Sequence, residues 1–425
     1  MPRVLLLLPA TTYRAEAFLE AARRLHLDVT VGSEGVAPPA GPPPTGSLTL
    51  DFKDPEGSAR TVAAFARHQP IDAVVGVDDT TAVVAAAISA ALGLPHNSVA
   101  ATSAARDKHR MRELLRERGV PVPHFTRFSL QEDPAALVSS VAFPCVVKPL
   151  VLSSSCGVIR ADNAAEFAAA FRRVGALLTR LGVASRDILV EDFVPGAEVA
   201  LEGLLTRGEL RVLALFDKPD PLDGPFFEET IYVTPSRLPA GLQAEIAFCT
   251  SRAARALGLR EGPVHGELRV NEKGVWVIEV AARSIGGRCA RTLRFGAGMS
   301  LEELILRHAL RMDLPSLERE RKPAGVMMLP IPRAGILNKV RGQKEALKVP
   351  GIEELAITAQ PGEELVPLPE GTRYLGFLIA RGDSTEAVEA SLREAHRKLE
   401  FEIRAHPTAG PDTEARAPNA RAFSV

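Results

Sequence analysis

The sequence predicts a chain of mixed α/β and α+β class: a parallel α/β region, a larger mixed region, and a small α+β region. Three observations carry this. Strand and helix signals alternate through the first hundred residues. Strand and helix signals continue to about residue 311, with strands that close on charged residues. Beyond residue 319, three strand-like runs are followed by one helical pattern. The expected divisions are 1–100, 101–318 with an internal junction near 190–195, 319–405, and a tail at 406–425.

In the first region "VLLLL" (4–8) is an apolar run of strand length and 15–25 is a helix. "LDVTVG" and "IDAVVGV" are further strands, and "TAVVAAAISAALGL" is a helix stopped by Gly93. Such alternation implies a parallel sheet wrapped by helices. The opening "MPRVLLLLPATTYRAEAF" looks like a leader, but its apolar stretch is too short, so a buried first strand is expected. "VAPPAGPPPTG" (36–46) is a Pro/Gly surface connection that no central strand accommodates. Asp78 and Asp79 close a strand where α/β proteins place ligands, and equally suit a helix N-cap.

The second region opens with "SAARDKHRMRELLRERGVPVP", expected as one helix stopped by Gly119 and the prolines at 121 and 123. Near its end Ser300 stands three residues before Glu303, a capping box. In the third region "AGVMMLPIP", "IEELAITA" and "RYLGFLIA" are strands, and 386–399 is a helix. The tail is polar with Pro and Gly, and is expected to be mobile.

Composition excludes some function classes. The 51 basic and 52 acidic residues balance to a net charge of −1 and are spread along the chain, so neither nucleic acid nor a membrane surface is an expected partner. No apolar run reaches membrane-spanning length. Four scattered cysteines, at 145, 156, 249 and 289, have no zinc or disulfide spacing and suit a reducing cytoplasm.

The chemistry gathers in "VHGELRVNEKGVWVIEVAARSIGG" (264–287). Placing Leu268 and Val270 on one face with Trp276, Ile278 and Val280 puts Glu267 and Glu279 on the other. A short turn at 272–274 then sets the two carboxylates opposite each other, about 5 Å apart. Like charges so placed need a shared proton or a cation, and all-oxygen ligands favour Mg2+. A solvated hairpin face is the other reading.

"FPCVVKPL" is a buried strand closing on Lys148, and the loop "VLSSSCGV" follows with Ser153, Ser154, Ser155 and Gly157. Hydroxyls, backbone N–H groups and a lysine suit a phosphate-covering hairpin; an ordinary polar turn with a snorkelling lysine is the alternative. "DILVEDFVPGAEVALEGLL" carries Glu191 on one strand and Glu198 at the start of the next. Such a crossing can offer backbone to a flat base and a carboxylate to hydroxyls, or be a hairpin with two surface acids. There is no GxxxxGK[ST] and no GxGxxG. The acids of "DKPDPLDG" lack calcium-loop spacing, Cys156 has no identifiable histidine partner, and His265 is either a supporting group or polar filling of the strand face.

In order, the lysine of "DKHRM", the lysine of "VVKPL", the small-residue loop, "VEDFVPGAE" and "GELRV…VIEVAAR" resemble the ATP-grasp superfamily over about 101–312. "FFEETIYVTPS" and "EVAARSIGG" are most similar to its L-amino-acid ligase and biotin-carboxylase-like branch. "PRAGILNKVRG" and "RYLGFLIARG" resemble those ligases' C-terminal domain. The resemblance implies an ATP-grasp fold preceded by a Rossmann-like parallel α/β domain and followed by a small α+β domain.

By position it implies that Lys108 and Lys148 bind ATP phosphates and that the loop from Ser153 to Gly157 closes over them. Glu191, Phe193 and Val194 would line the adenine site, and Glu198 would hold ribose. Glu267 and Glu279 would hold Mg2+, or Mn2+. Lys148 and Arg283 would serve catalysis, with Arg283 facing the acyl phosphate or substrate carboxylate. Glu229 and Tyr232, with Gly286 and Gly287, would contact substrate. Ala281 stands where many members carry an Asn metal ligand, leaving one-metal and two-metal sites open, and Tyr232 stands where His is common.

The implied activity is an ATP-dependent, cytoplasmic carboxylate–amine ligase acting on an amino acid or small carboxylate plus an amine, with a homo-oligomer left open. Purine-pathway or bicarbonate-activating chemistry, or an ATP-binding regulator without turnover, are the alternatives.

Overall fold

The computed structural model describes residues 1–9, 12–35 and 43–405; most of the expected Pro/Gly connection, 36–42, and the tail 406–425 lie outside the described residues. The chain forms two compact units. Met1–Val122, Glu198–Asp217 and Pro235–Arg321 make the first; Pro123–Ala197, Lys218–Thr234 and the chain from Lys322 make the second.

The first unit begins with a parallel sheet. Arg3–Leu7 pairs with Asp28–Ser33 and with Ala73–Gly76, and Gly46–Thr49 adds to the Asp28–Ser33 edge. Leu5, Leu6 and Leu7 are fully buried, as an uninterrupted apolar strand in a parallel sheet requires. The helices start and stop where local chemistry directs. Asp54 accepts from Gly57 N ahead of Pro55, at 2.9 Å. Asp78 and Thr81 close a capping box on Asp79–Leu92, and Gly93, at φ 68°, ends it.

The single helix expected across 103–118 is two helices, Val99–Arg106 and Lys108–Glu117, broken at Asp107. Asp107 has φ −89° and ψ 109°, and its carboxylate accepts from Arg110 N at 3.0 Å. A short acidic side chain competes for backbone donors and favours a cap over a helix interior. The break makes Lys108 the first residue of its helix.

These helices and Ala240–Leu257 cover the face of strands Ala197–Thr206, Gly262–Asn271 and Gly274–Ala281. Met111, Leu115, Ile246, Leu257, Val264 and Leu268 share that core. Gly274–Ala281 is the sheet's edge strand.

The second unit has an antiparallel sheet of Phe125–Ser129, Asp187–Asp192, Cys145–Pro149 and Ile159–Ala161, backed by helix Ala164–Arg180 through Phe167, Phe171 and Val174. Ala324–Leu329 pairs with Ile231–Thr234 and Gly376–Arg381, Ile352–Ile357 adds outside, and helix Thr385–Lys398 packs on them. A further small sheet joins Glu364–Leu365, Gly335–Arg341 and Glu400–Arg404. Among the described residues no helix is long and apolar enough to cross a membrane.

Candidate functional site

In the first unit, Glu267 and Glu279 are cross-strand partners in register. The route to that pairing differs from the expected one. Leu268 faces Val277 and Val270 faces Val275, and Val275 and Val277 are buried, whereas Trp276 and Ile278 are half-buried. A β-bulge falls at Ile278, between the Glu267–Glu279 and Leu268–Val277 pairs. Without it, strict alternation would send Glu279 to the face of Val275 and Val277; the extra residue turns it beside Glu267 and lets Val280 return to the core.

Cations accompany the pair. Lys108 Nζ lies 3.4 Å from Glu279 Oε2. Arg283 Nε donates to both carboxylate oxygens of Asp79 at 3.1 Å, and its Nη1 donates to Ser284 O. Burial opposes the Arg283 charge, but Asp79, Glu279 and Glu267 raise its proton affinity above the ordinary value. Burial likewise pushes Asp79 up, yet the charge and hydrogen bond of Arg283, with Lys108, leave its carboxyl below the usual range. Asp78 is the helix cap, as the N-cap reading expected, and Asp79 is the partner of Arg283.

Two residues before Glu267 on the same strand stands His265, with Nε2 3.5 Å from Glu267 and Nδ1 3.9 Å from Glu202. Glu202 is fully buried and accepts from Ile285 N at 2.9 Å; burial pushes its carboxyl well above the usual range despite that bond. The following loop is fastened from the first strand–helix connection: Gly287 N donates to Tyr13 OH at 2.8 Å, and Arg14 Nη1 donates to Ser284 O and Oγ at 3.0 Å. Gly286 sits against the same two side chains. Glu198 is paired with Arg269 at 2.9 Å, both nearly buried.

In the second unit, Lys148 and Glu191 form an ion pair with side chains only 6% and 3% exposed. Removing one partner of such a pair costs ~3–5 kcal/mol. Val194 is buried and Phe193 half-buried, with the Arg160 guanidinium 4.2 Å from the Phe193 ring centroid. The Ser153–Gly157 loop turns through Ser154 and Ser155 at φ 55° each and Gly157 at φ 74°. Gly157 N donates to Pro369 O at 2.8 Å. Cys156 is buried and burial pushes its thiol up to about 11, which fits a packing role and not a nucleophile. Glu229 Oε1 accepts from Lys218 Nζ at 2.6 Å and Tyr232 OH at 2.5 Å, with Lys218 4.9 Å from the Tyr232 ring centroid.

Family comparisons decide the lineage. An ATP-grasp domain matches residues 141–292, an ATP-grasp N-terminal domain matches 19–96, and L-amino acid ligase C-terminal domain 2 matches 327–404. The chain belongs to the ATP-grasp superfamily. This ATP-grasp chain superposes on an L-amino acid ligase from Bacillus licheniformis with a TM-score of 0.79 and 26% identity, covering 95% of this chain and 99% of that one. It is 27% identical to an alanine–anticapsin ligase of Bacillus subtilis over 256 residues, covering 55% of this chain and 54% of the relative. The chain thus spans about half the length of the alanine–anticapsin ligases it matches. A carboxyaminoimidazole ribonucleotide synthase from asperigillus clavatus, with a TM-score of 0.71 and 18% identity over 95% of this chain and 99% of that one, shares the fold.

Three polar residues of this ATP-grasp chain escaped the sequence reading. Lys218 closes an apolar strand in "LALFDK", the same signal that singled out Lys148. Glu202 interrupts the apolar run "VALEGLL". Arg112 stands four residues after Lys108 on one helix face, and its burial is not legible without the fold.

Proposed function

We propose that this chain is an ATP-dependent carboxylate–amine ligase that forms an amide through an acyl phosphate, with an L-amino acid as its carboxylate substrate. The observation that carries the reading is the in-register Glu267–Glu279 pair flanked by Lys108 and Arg283. Two facing carboxylates that supply only oxygen donors fit a hard divalent cation. Mg2+, or Mn2+, held there would neutralise phosphate charge. The proposed ligase domain is 101–318, flanked by 1–100 and 319–405.

In the proposed reaction a substrate carboxylate oxygen attacks the γ-phosphorus of ATP. The bond to the β,γ-bridging oxygen breaks and ADP leaves. An amine then attacks the acyl carbon, the carbon–oxygen bond to phosphate breaks, and the nitrogen loses a proton. The protein's share is positioning and charge. Lys108 and Lys148 neutralise phosphate oxygens, and the Ser153, Ser154, Ser155 and Gly157 loop covers them.

Glu191, Phe193 and Val194 line the base, and Glu198 holds the ribose. Arg283, held by Asp79, faces the acyl phosphate. Glu229 and Tyr232, braced by Lys218, take the first amino acid, and Arg283, Gly286 and Gly287 contact substrate. The L-amino acid ligase likeness over 95% of the chain supports the amino-acid assignment.

The test is ADP release from the purified protein with Mg-ATP against a panel of L-amino acids, bicarbonate and phosphoribosylamine. Amino acids are expected to elicit release, and Glu279→Gln to abolish it with the circular dichroism spectrum unchanged. Release with bicarbonate or phosphoribosylamine alone would redirect the assignment, and ATP binding without release under any substrate would make the chain a regulator. Turnover surviving in Glu279→Gln would remove the metal role.

A further inference from the structure

The bulge at Ile278 leaves backbone groups that the sheet ladder does not use, on the outer side of an edge strand. Buried backbone groups need partners. Arg112 Nη2 donates to Ile278 O at 2.6 Å, and Val280 N donates to Met111 Sδ at 3.3 Å. Lys108, one turn earlier on the same helix face, reaches Glu279 between those two residues. One helical turn therefore touches three consecutive residues of the bulged strand. Farther along, Val277 N donates to Pro121 O at 3.0 Å, so the chain leaving that helix pins the near side as well.

Arg112 is 0% exposed. Burying a guanidinium is unfavourable unless it is hydrogen-bonded, and an apolar residue would fill the same space at lower cost. Its Nη2 hydrogen bond to the bulge carbonyl ties the guanidinium to the backbone from which Glu279 projects.

We propose that Arg112 is a positioning residue for Glu279, holding the Ile278 bulge so that the two carboxylates meet a divalent cation at the right separation. This rests on the reading of Glu267 and Glu279 as the metal-holding pair. Groups behind metal ligands typically change affinity by ~10–100-fold when removed.

The experiment uses the full chain, with Mn2+ as the probe. Free Mn2+ is followed by electron paramagnetic resonance in the presence of ADP, ADP release is titrated with Mg2+, and thermal melts report folding. Arg112→Met is expected to bind Mn2+ ~10–100-fold more weakly and to need correspondingly more Mg2+ for half-maximal turnover, with excess metal restoring most of kcat. A purely packing role would instead lower kcat at every Mg2+ concentration and leave half-saturation where it was. Arg112→Lys, which keeps the charge and a donor, serves if Arg112→Met does not fold, and should show a smaller shift in the same direction.

Mn2+ affinity and Mg2+ half-saturation within about twofold of wild type in the folded variant would overturn the proposal. Glu279→Gln separates the two levels. If it binds Mn2+ as wild type does, the carboxylate reading falls and this inference with it. If it loses Mn2+ while the folded Arg112 variants do not, the positioning role alone is wrong.

Discussion

Asp79→Asn isolates the anchor of Arg283. Asp79 is the first residue of its helix, and both its oxygens lie 3.1 Å from one Arg283 nitrogen, with side chains 22% and 12% exposed. One N–H shared between two oxygens counts as a single charge-assisted hydrogen bond, worth ~1.5–3 kcal/mol. A carboxylate in the first helical turn adds ~0.3–1 kcal/mol. The amide keeps one acceptor, so the expected net loss is about 2 kcal/mol. At ~2–4 °C per kcal/mol for a unit of this size, the Tm should fall by about 4–8 °C at pH 7.

The pH dependence has a definite sign. Burial raises the Asp79 carboxyl, but Arg283 and Lys108 bring it below its usual range, so the folded chain keeps the charge to lower pH than the unfolded chain. The stabilisation is therefore fully present above the unfolded value near ~3.9 and disappears as pH falls through the folded value. Calorimetric melts of both proteins from pH 7 downward should show the gap closing only below about pH 4. A Tm difference under about 1 °C at pH 7, or a gap as wide in acid as at neutrality, would refute the reasoning.

Glu202→Gln should behave in the opposite sense. Burial raises the Glu202 carboxyl, so the wild type holds a proton that the unfolded chain has lost and is progressively destabilised as pH rises from ~4.3 toward the folded value. The variant lacks that slope, and urea unfolding should find it gaining on wild type between pH 5 and pH 8; equal pH slopes would contradict this. Gly157→Ala forces a Cβ to 2.7 Å from Pro149 Cγ at φ 74°. The left-handed backbone alone costs ~1–2 kcal/mol, so stability by urea titration should fall by at least that amount; a neutral result would show that the loop relaxes freely.

Much of the architecture was legible because it follows from periodicity and punctuation. The alternating first region, the Ser300–Glu303 capping box and the strand closing on Lys148 all stand where pattern put them. The Glu267–Glu279 pair is legible as well, although strict alternation misassigns the strand that carries Glu279. Strict alternation placed Trp276 and Ile278 on the core face, and the structure gives that face to Val275 and Val277. A bulge is a response to tertiary pairing and to a helix packed on the strand, and alternation alone does not announce it. Asp107 could have announced its helix break, since aspartate is a poor interior residue and a good cap. The small sheet of Gly335–Arg341 and Glu400–Arg404 was not anticipated, because charged residues interrupt both segments and hide the alternation.

The bond from Gly157 N to Pro369 O ties a loop of the ATP-grasp domain match to residues within the L-amino acid ligase C-terminal domain match. Arg173, on the helix beside that loop, grips the neighbouring Glu370 with two hydrogen bonds of 2.6 and 2.9 Å. Coupling of this kind is reciprocal: whatever orders one partner favours the ordered form of the other by the same free energy. The segment the superfamily shares and the segment that marks this lineage are therefore thermodynamically answerable to each other. A change made in the C-terminal region around Glu370 would be felt at the turn around Gly157, and amide exchange at Leu368, Glu370 and Gly371 would report on the order of that turn.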